Sequence, residues 1–325
     1  MRAVIFEKPG GVEVLQIAEV PRPRPGPEDL LVRNFAAGVN RADILQRRGL
    51  YPPPPGASEI LGLEFAGEVA EIGEKVSGFR KGDRVFGLVA GGAYAEFLTV
   101  SHRTVLPIPD TLSFDAAASL PEACSIAAEA LFALGDLRSG DLVLLHAGAS
   151  GVGSAAIQLA VAKGGRVLAT AGSGAKVEHC LRLGAERALN HREEDFVEAV
   201  GRATEGRGVP LVLDLVGAAY MERNLRCLAV DGRMVIVGLL GGAIARVDLS
   251  VVLRKRLRIL GTTLRGRSAE ERIRLCEMWG KDILPLVVAG KVRPALDRVV
   301  PFEEVQAAHE RMESNSNIGK IVLRL

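Results

Sequence analysis

Between Asp141 and Gly165 an apolar run, Leu142-Val143-Leu144-Leu145, leads without a break into His146-Ala147-Gly148-Ala149-Ser150-Gly151-Val152-Gly153. A helical repeat of Ala155, Ala156, Ile157, Leu159, Ala160 and Val161 follows, and Gly164 and Gly165 stand where such a helix would stop. Strand, glycine-rich turn and helix, with another strand at Arg166 to Thr170 directly after, read as the opening of a βαβ unit that holds a dinucleotide. Glycines let the backbone approach a pyrophosphate, while the unpaired amides and positive end of the helix dipole face the anion. Gly148, Ser150, Gly151, Val152 and Gly153 are therefore candidate cofactor contacts.

The remaining pattern divides the 325 residues in two. Up to about Leu120 short strands are broken by Gly and Pro: Val4 to Phe6, Val12 to Ala18, Leu30 to Val39, Glu64 to Ile72, Arg84 to Leu88 and Tyr94 to Val100. One short helix, Asn40 to Arg48, interrupts them, and Tyr51 with Pro52 to Pro55 forms a stiff loop. From Phe114 the pattern turns helical, and helices and Val/Leu-rich strands then alternate as far as Thr262, as in a parallel sheet covered on both faces. The tail, with strands at Arg298 to Val300 and Lys320 to Leu325, resumes the mixed character of the beginning. The expected class is α/β, with a β-rich domain at residues 1–122 and 264–325 and a doubly wound Rossmann domain at residues 123–263.

Charge excludes some partners. A net charge of +2 from interspersed acids and bases gives no stripe for nucleic acid, and the basic run Arg254 to Arg258 reads as a solvated loop. No apolar run reaches bilayer length and no secretory signal opens the chain, so a soluble cytoplasmic protein is expected. Cys124, Cys180, Cys227 and Cys276 are scattered, which indicates buried free thiols rather than disulfides or a zinc knuckle.

The second strand of the βαβ unit ends in Ala169-Thr170-Ala171-Gly172-Ser173-Gly174-Ala175-Lys176, without the acid that would hold the adenine ribose of NAD. Ser173 and Lys176 offer room and donors for a 2′-phosphate, so NADPH is expected. Gly217 and Gly238 end two further strands; Gly217 permits either nicotinamide contact or a simple helix-start turn, whereas contact is expected at Gly238, which Leu239 to Gly242 extend as a flexible loop.

Asn40-Arg41-Ala42-Asp43, Arg47 with Gly49 and Tyr51, Gly62-Leu63-Glu64, Gly82-Asp83-Arg84-Val85, the Gly148 to Gly153 loop and Asn317 to Leu323 together resemble the quinone oxidoreductase, zeta-crystallin-like branch of the medium-chain dehydrogenase/reductases over essentially the whole chain. The resemblance implies a GroES-like catalytic domain with an inserted Rossmann domain, Tyr51 and Asn40 beside the nicotinamide, cofactor contacts at Asn317 and Lys320, and a homodimer through sheet edges near Val235 to Leu240. Zinc-dependent relatives carry Cys and His at positions resembling Asn40 and Leu63; their absence leaves no thiolate-imidazole metal site. Tyr51, Asn40 and, at the glycine loop, Ser150 are the candidate donors to a reacting oxygen, although Tyr51 could simply pack on the proline run, Asn40 could cap its helix, and Ser150 is read mainly as a pyrophosphate contact. Two positions depart from the family pattern: Ile126 replaces a frequent threonine, and His191 a tyrosine implicated in 2′-phosphate binding. The expected activity is zinc-independent hydride transfer from NADPH to a small quinone. Reduction of enals or enones is the alternative enzyme reading, and a cofactor-binding crystallin or RNA-binding protein the non-enzymatic one.

Overall fold

The computed structural model describes residues 1–325. Its first unit comprises Met1–Glu122, Leu264–Ala289 and Pro294–Leu325, and its second Ala123–Thr263 with Gly290–Arg293.

Strands β1 (Arg2–Ile5) and β2 (Gln16–Glu19) form an antiparallel pair at the start of the first unit. The expected strand from Val12 is interrupted, because the chain after Gly10 and Gly11 makes a single 3₁₀ turn at Val12–Val14. The main sheet is built around β3 (Asp29–Gly38), which pairs antiparallel with β4 (Glu64–Ile72) and with β6 (Phe97–Ser101). Beyond β4 lie β5 (Arg84–Leu88) and β7 (Val105–Pro107), the latter too short and too proline-marked to be read from the sequence. The last two strands of the chain, Leu296–Pro301 and Lys320–Arg324, complete this seven-stranded sheet, with the terminal strand paired to β3. That pairing sets Val322 opposite Gly38 and carries Lys320 to Val39 and Asn40. Helix α1 (Arg41–Arg47) packs Ile44 into a core that includes Val4, Leu30, Phe65, Tyr94 and Phe302.

In the second unit the strands are β8 (Leu142–Leu145), β9 (Arg166–Ala171), β10 (Arg187–Asn190), β11 (Val209–Asp214), β12 (Leu228–Ile236) and β13 (Arg258–Gly261). They form one parallel sheet in the order β10-β9-β8-β11-β12-β13. Every residue of β8 is buried, as a strand covered on both faces must be. The order reverses between β8 and β11, the switch point at which doubly wound sheets bind ligands. The helix after β10 starts at Phe196, where the Asp195 carboxylate caps it by accepting from the Val197 amide at 2.6 Å.

Three expectations are corrected. Val235 and Ile236 lie in β12, which is paired on both sides, so the free sheet edge on this side is β13. The basic run is no simple loop: Leu249–Lys255 is a helix, and the Lys255 ammonium donates to the carbonyls of Leu225, Arg226 and Leu228, capping the preceding helix. One stretch, Phe114–Ala133, is 20 residues long with a mean hydropathy of 1.2, enough by length and composition to cross a bilayer, but 72 % of its window is buried inside the protein and Pro121 interrupts it.

Candidate active site

The second unit supplies a nucleotide cradle. After β8 the chain turns at Ala147, a non-glycine residue held at φ 53°, and Gly148 donates to the Thr170 carbonyl at 2.9 Å. Helix α4 (Gly151–Ala162) then opens with Ser150 as its cap, the hydroxyl accepting from the Gly153 amide at 3.0 Å. A Cβ on Gly153 would lie 2.4 Å from the Ala147 carbonyl oxygen and 2.7 Å from Gly148 backbone atoms, so only glycine lets the helix start this close to the strand. Gly151, Val152 and Gly153 thus present first-turn amides beside a tight turn, and Ser150 serves first as a helix cap.

At the end of β9 Ser173 caps α5 (Gly174–Arg182), and Lys176 lies in its first turn. His191, directly after β10, donates its backbone N–H to the Ala171 carbonyl at 3.0 Å, and its imidazole borders Gly172, where a Cβ would stand 3.3 Å from Nε2. Burial and the nearby cations Arg192, Arg223 and Lys176 hold the His191 pKa below its ordinary value. Of these cations Arg223 is paired with the Asp195 carboxylate at 3.1 Å, and a dianionic phosphate arriving beside His191 would favour the protonated imidazole.

Gly217 and Gly238 have a local task. Gly217 adopts φ +80°, its amide donates to the Asp214 carboxylate at 3.1 Å, and a Cβ there would meet the Gly242 carbonyl at 2.7 Å. A Cβ on Gly238 would lie 2.9 Å from the Leu215 carbonyl. The two loops are laced together, Gly241 N–H to Val216 O at 2.7 Å and Ala218 N–H to Gly242 O at 2.9 Å, leaving Leu239 about half exposed.

In the first unit, Asn40 precedes α1 and its amide is engaged at both ends. Its Nδ2 donates to Glu64 Oε1 at 2.9 Å and to the Gly38 carbonyl at 3.3 Å, while its Oδ1 accepts from Lys320 Nζ at 2.6 Å. Lys320, expected as a cofactor contact, is buried, and its ammonium also meets Glu64 Oε1 at 2.5 Å and the Val39 carbonyl at 3.0 Å. The register of the last strand turns it inward. Asn317 donates to the Gly319 carbonyl at 2.8 Å, shaping the turn before that strand. Both ends of the Asn40 amide are thus engaged, and the Tyr51 ring lies beside Arg265, 5.5 Å from its guanidinium carbon.

Sequence reasoning gave no role to four groups here. Glu64, fully buried, also accepts from the Glu122 amide at 2.9 Å. Burial, reinforced by Glu64, pushes the Glu122 carboxyl up to about 8. Asp43 accepts from the amides of Asn40 and Gly62 and from the Tyr94 hydroxyl, at 2.8, 3.0 and 3.3 Å, and burial raises it to about 6. Arg265 is buried near Tyr51. Glu64 lies inside a motif already singled out, but partners this remote leave no local trace in a sequence.

The alcohol dehydrogenase GroES-like domain model matches residues 26–110, and the zinc-binding dehydrogenase model residues 151–278. The chain is 32 % identical over 329 residues to the quinone oxidoreductase of Rattus norvegicus, spanning 100 % of this chain and 98 % of the relative. It is similar to the crystal structure of Escherichia coli quinone oxidoreductase complexed with NADPH, with a TM-score of 0.91, 32 % identity and all of both chains covered. It is also similar to that of CurK enoyl reductase, with a TM-score of 0.89 and 29 % identity, covering 99 % of this chain and 98 % of that one.

Proposed function

Since this chain belongs to the zeta-crystallin-like quinone oxidoreductases of the medium-chain dehydrogenase/reductase superfamily, we propose that it reduces quinones with NADPH and without zinc. It is an NADPH-dependent oxidoreductase of α/β class, with a GroES-like part and a Rossmann part. The observation that carries the cofactor reading is the Gly153 cradle joined to an end of β9 that itself carries no acid and is bordered by Ser173, Lys176 and His191. Gly148 to Gly153 fit the pyrophosphate, and Ser173, Lys176 and His191 fit the 2′-phosphate. Bound NADPH supplies a hydride, which with one proton converts a quinone to a hydroquinone.

The reading without zinc rests on Asn40 and Lys320. A metal ion beside Asn40 would face a fixed ammonium 2.6 Å from its Oδ1, and no group of three or more His, Cys, Asp or Glu is arranged to hold an ion. A quinone is a strong hydride acceptor and needs a donor for the oxygen gaining charge more than a Lewis acid. Tyr51 is assigned that role. Tyr51→Phe should lower quinone turnover about tenfold to a hundredfold with NADPH affinity intact. An unchanged rate would reduce Tyr51 to a pocket wall. The likeness to an enoyl reductase supports a second reading, reduction of activated C=C bonds. If Tyr51→Phe damages enone reduction far more than quinone reduction, that reading gains, because an enolate depends more on a well-placed donor.

Lys176→Ala should weaken NADPH binding by about 1–3 kcal/mol and leave NADH binding unchanged, as measured by titration calorimetry. Equal losses for both cofactors would leave Lys176 with a role in its helix alone.

A homodimer through the β13 edge belongs to the same reading. The edge strand carries the partly exposed Ile259, and near it in sequence Ile244, Leu249 and Leu253 are 94 %, 72 % and 78 % exposed, an apolar set that a second copy would cover. Light scattering at micromolar concentration should give a dimer mass; a monomer mass would refute it.

A further inference from the structure

Arg265 is a buried cation without an ion-pair partner. Its guanidinium donates from Nε to the Ala90 carbonyl at 2.7 Å, from one terminal nitrogen to the Tyr51 carbonyl at 3.2 Å, and from the other to Gln46 Oε1 at 2.7 Å. Its carbon lies 5.5 Å from the centre of the Tyr51 ring. Gln46 in turn donates to the Glu59 carbonyl at 2.8 Å. One side chain therefore fastens α1, the loop at Ala90 and both ends of the segment from Tyr51 to Glu59, whose middle is already stiffened by Pro52 to Pro55.

Neutral donors could anchor carbonyls at less expense. Burying a guanidinium without a touching carboxylate costs several kcal/mol before its hydrogen bonds are counted, so the charge itself calls for a use. Resting on the reading of Tyr51 as the donor, we propose that Arg265 is a positioning residue that fixes Tyr51 and, by its charge beside the ring, strengthens the phenol as a hydrogen-bond donor to the substrate oxygen. A nearby cation favours the phenolate and so makes the O–H a better donor. The other charged groups acting on Arg265 are the carboxyls of Asp43, on α1, and Glu122. Burial raises Glu122 to about 8 and Asp43 to about 6, so Asp43 is the acid that keeps its charge near Arg265 at neutral pH.

The test uses the full chain with Arg265→Met and Arg265→Lys, each with Tyr51 and with Tyr51→Phe. Arg265→Met should lower quinone turnover at least about tenfold when Tyr51 is present but less than about threefold in the Tyr51→Phe background, with the NADPH dissociation constant within about twofold. Equal losses in both backgrounds would show a merely structural role and overturn the proposal. The chain has three tyrosines, so the titration of Tyr51 can be read as the ultraviolet difference between each protein and its Tyr51→Phe partner. Its midpoint should rise in Arg265→Met and stay near the parent value in Arg265→Lys, which keeps the charge; an unmoved midpoint in Arg265→Met would overturn the proposal. If Arg265→Met does not fold, Arg265→Lys decides: an unmoved midpoint with any loss of turnover confined to the Tyr51 background supports the proposal, and a moved midpoint or an equal loss in both backgrounds overturns it. Should Tyr51→Phe alone leave turnover unchanged, the donor reading fails, while the titration still reports whether Arg265 acts on the phenol.

Discussion

Lys320→Met should destabilise the protein by about 3–5 kcal/mol, the largest effect expected of any single change discussed for this chain. The ammonium meets three oxygens, on Glu64, Asn40 and Val39, at 2.5, 2.6 and 3.0 Å, and both it and Glu64 are buried. Removing it leaves the Glu64 carboxylate with only the Asn40 amide and the Glu122 N–H, neither of which carries charge. The cost is that of an uncompensated buried charge rather than of one lost hydrogen bond. Adding Glu64→Gln should recover much of it, since a neutral amide suits the apolar replacement better. Urea unfolding of the single and double variants measures this. A single variant as stable as the parent would mean that the buried pair is not formed.

Acidification should reveal the second large effect, at His146. This residue directly follows β8 in the second unit, fully buried, with Nε2 2.7 Å from Asn224 Oδ1 and Nδ1 2.9 Å from Thr170 Oγ1. The acceptor on Asn224 requires the proton on Nε2, and the Thr170 hydroxyl can then donate to Nδ1. Burial depresses the pKa to about 4 from 6.5. The folded state therefore binds fewer protons than the unfolded state between these values, so the contribution is fully present above pH 6.5 and is lost as pH falls toward 4. The loss amounts to roughly 3 kcal/mol. His309, depressed to about 3 by burial and by Arg47, acts in the same direction, whereas Asp43, raised to about 6, acts against it. The difference between the parent and His146→Gln, rather than either curve, isolates the residue. That difference should change by about 3 kcal/mol between pH 7 and pH 4, and parallel curves would contradict the assignment.

How much of this was legible depended on distance along the chain. The strands and helices of the second unit are marked locally, by continuous apolar runs and by caps at Ser150, Ser173 and Asp195. The glycine loop was readable for the same reason: the steric demand on Gly153 comes from Ala147 and Gly148. The helix at Leu249–Lys255 escaped because Leu249 and Leu253 face solvent, so its apolar residues do not mark a core. The network of the first unit was illegible in kind. Lys320 meets Asn40 across 280 positions and Arg265 meets Gln46 across 219, contacts set by strand register and chain return rather than by spacing. Motif reasoning therefore found Asn40 and Lys320 but gave both to ligands, where the fold binds them to each other.

The central claim, hydride transfer from NADPH to a quinone without a metal, is tested most directly by following NADPH oxidation with a panel of small quinones and of enones, before and after exhaustive chelation. Quinone-dependent oxidation of NADPH that exceeds both the rate with NADH and the rate with enones, and that chelation leaves unchanged, is the predicted result. Stoichiometric zinc in the purified protein with activity lost on its removal, or turnover of enones but of no quinone, would contradict it.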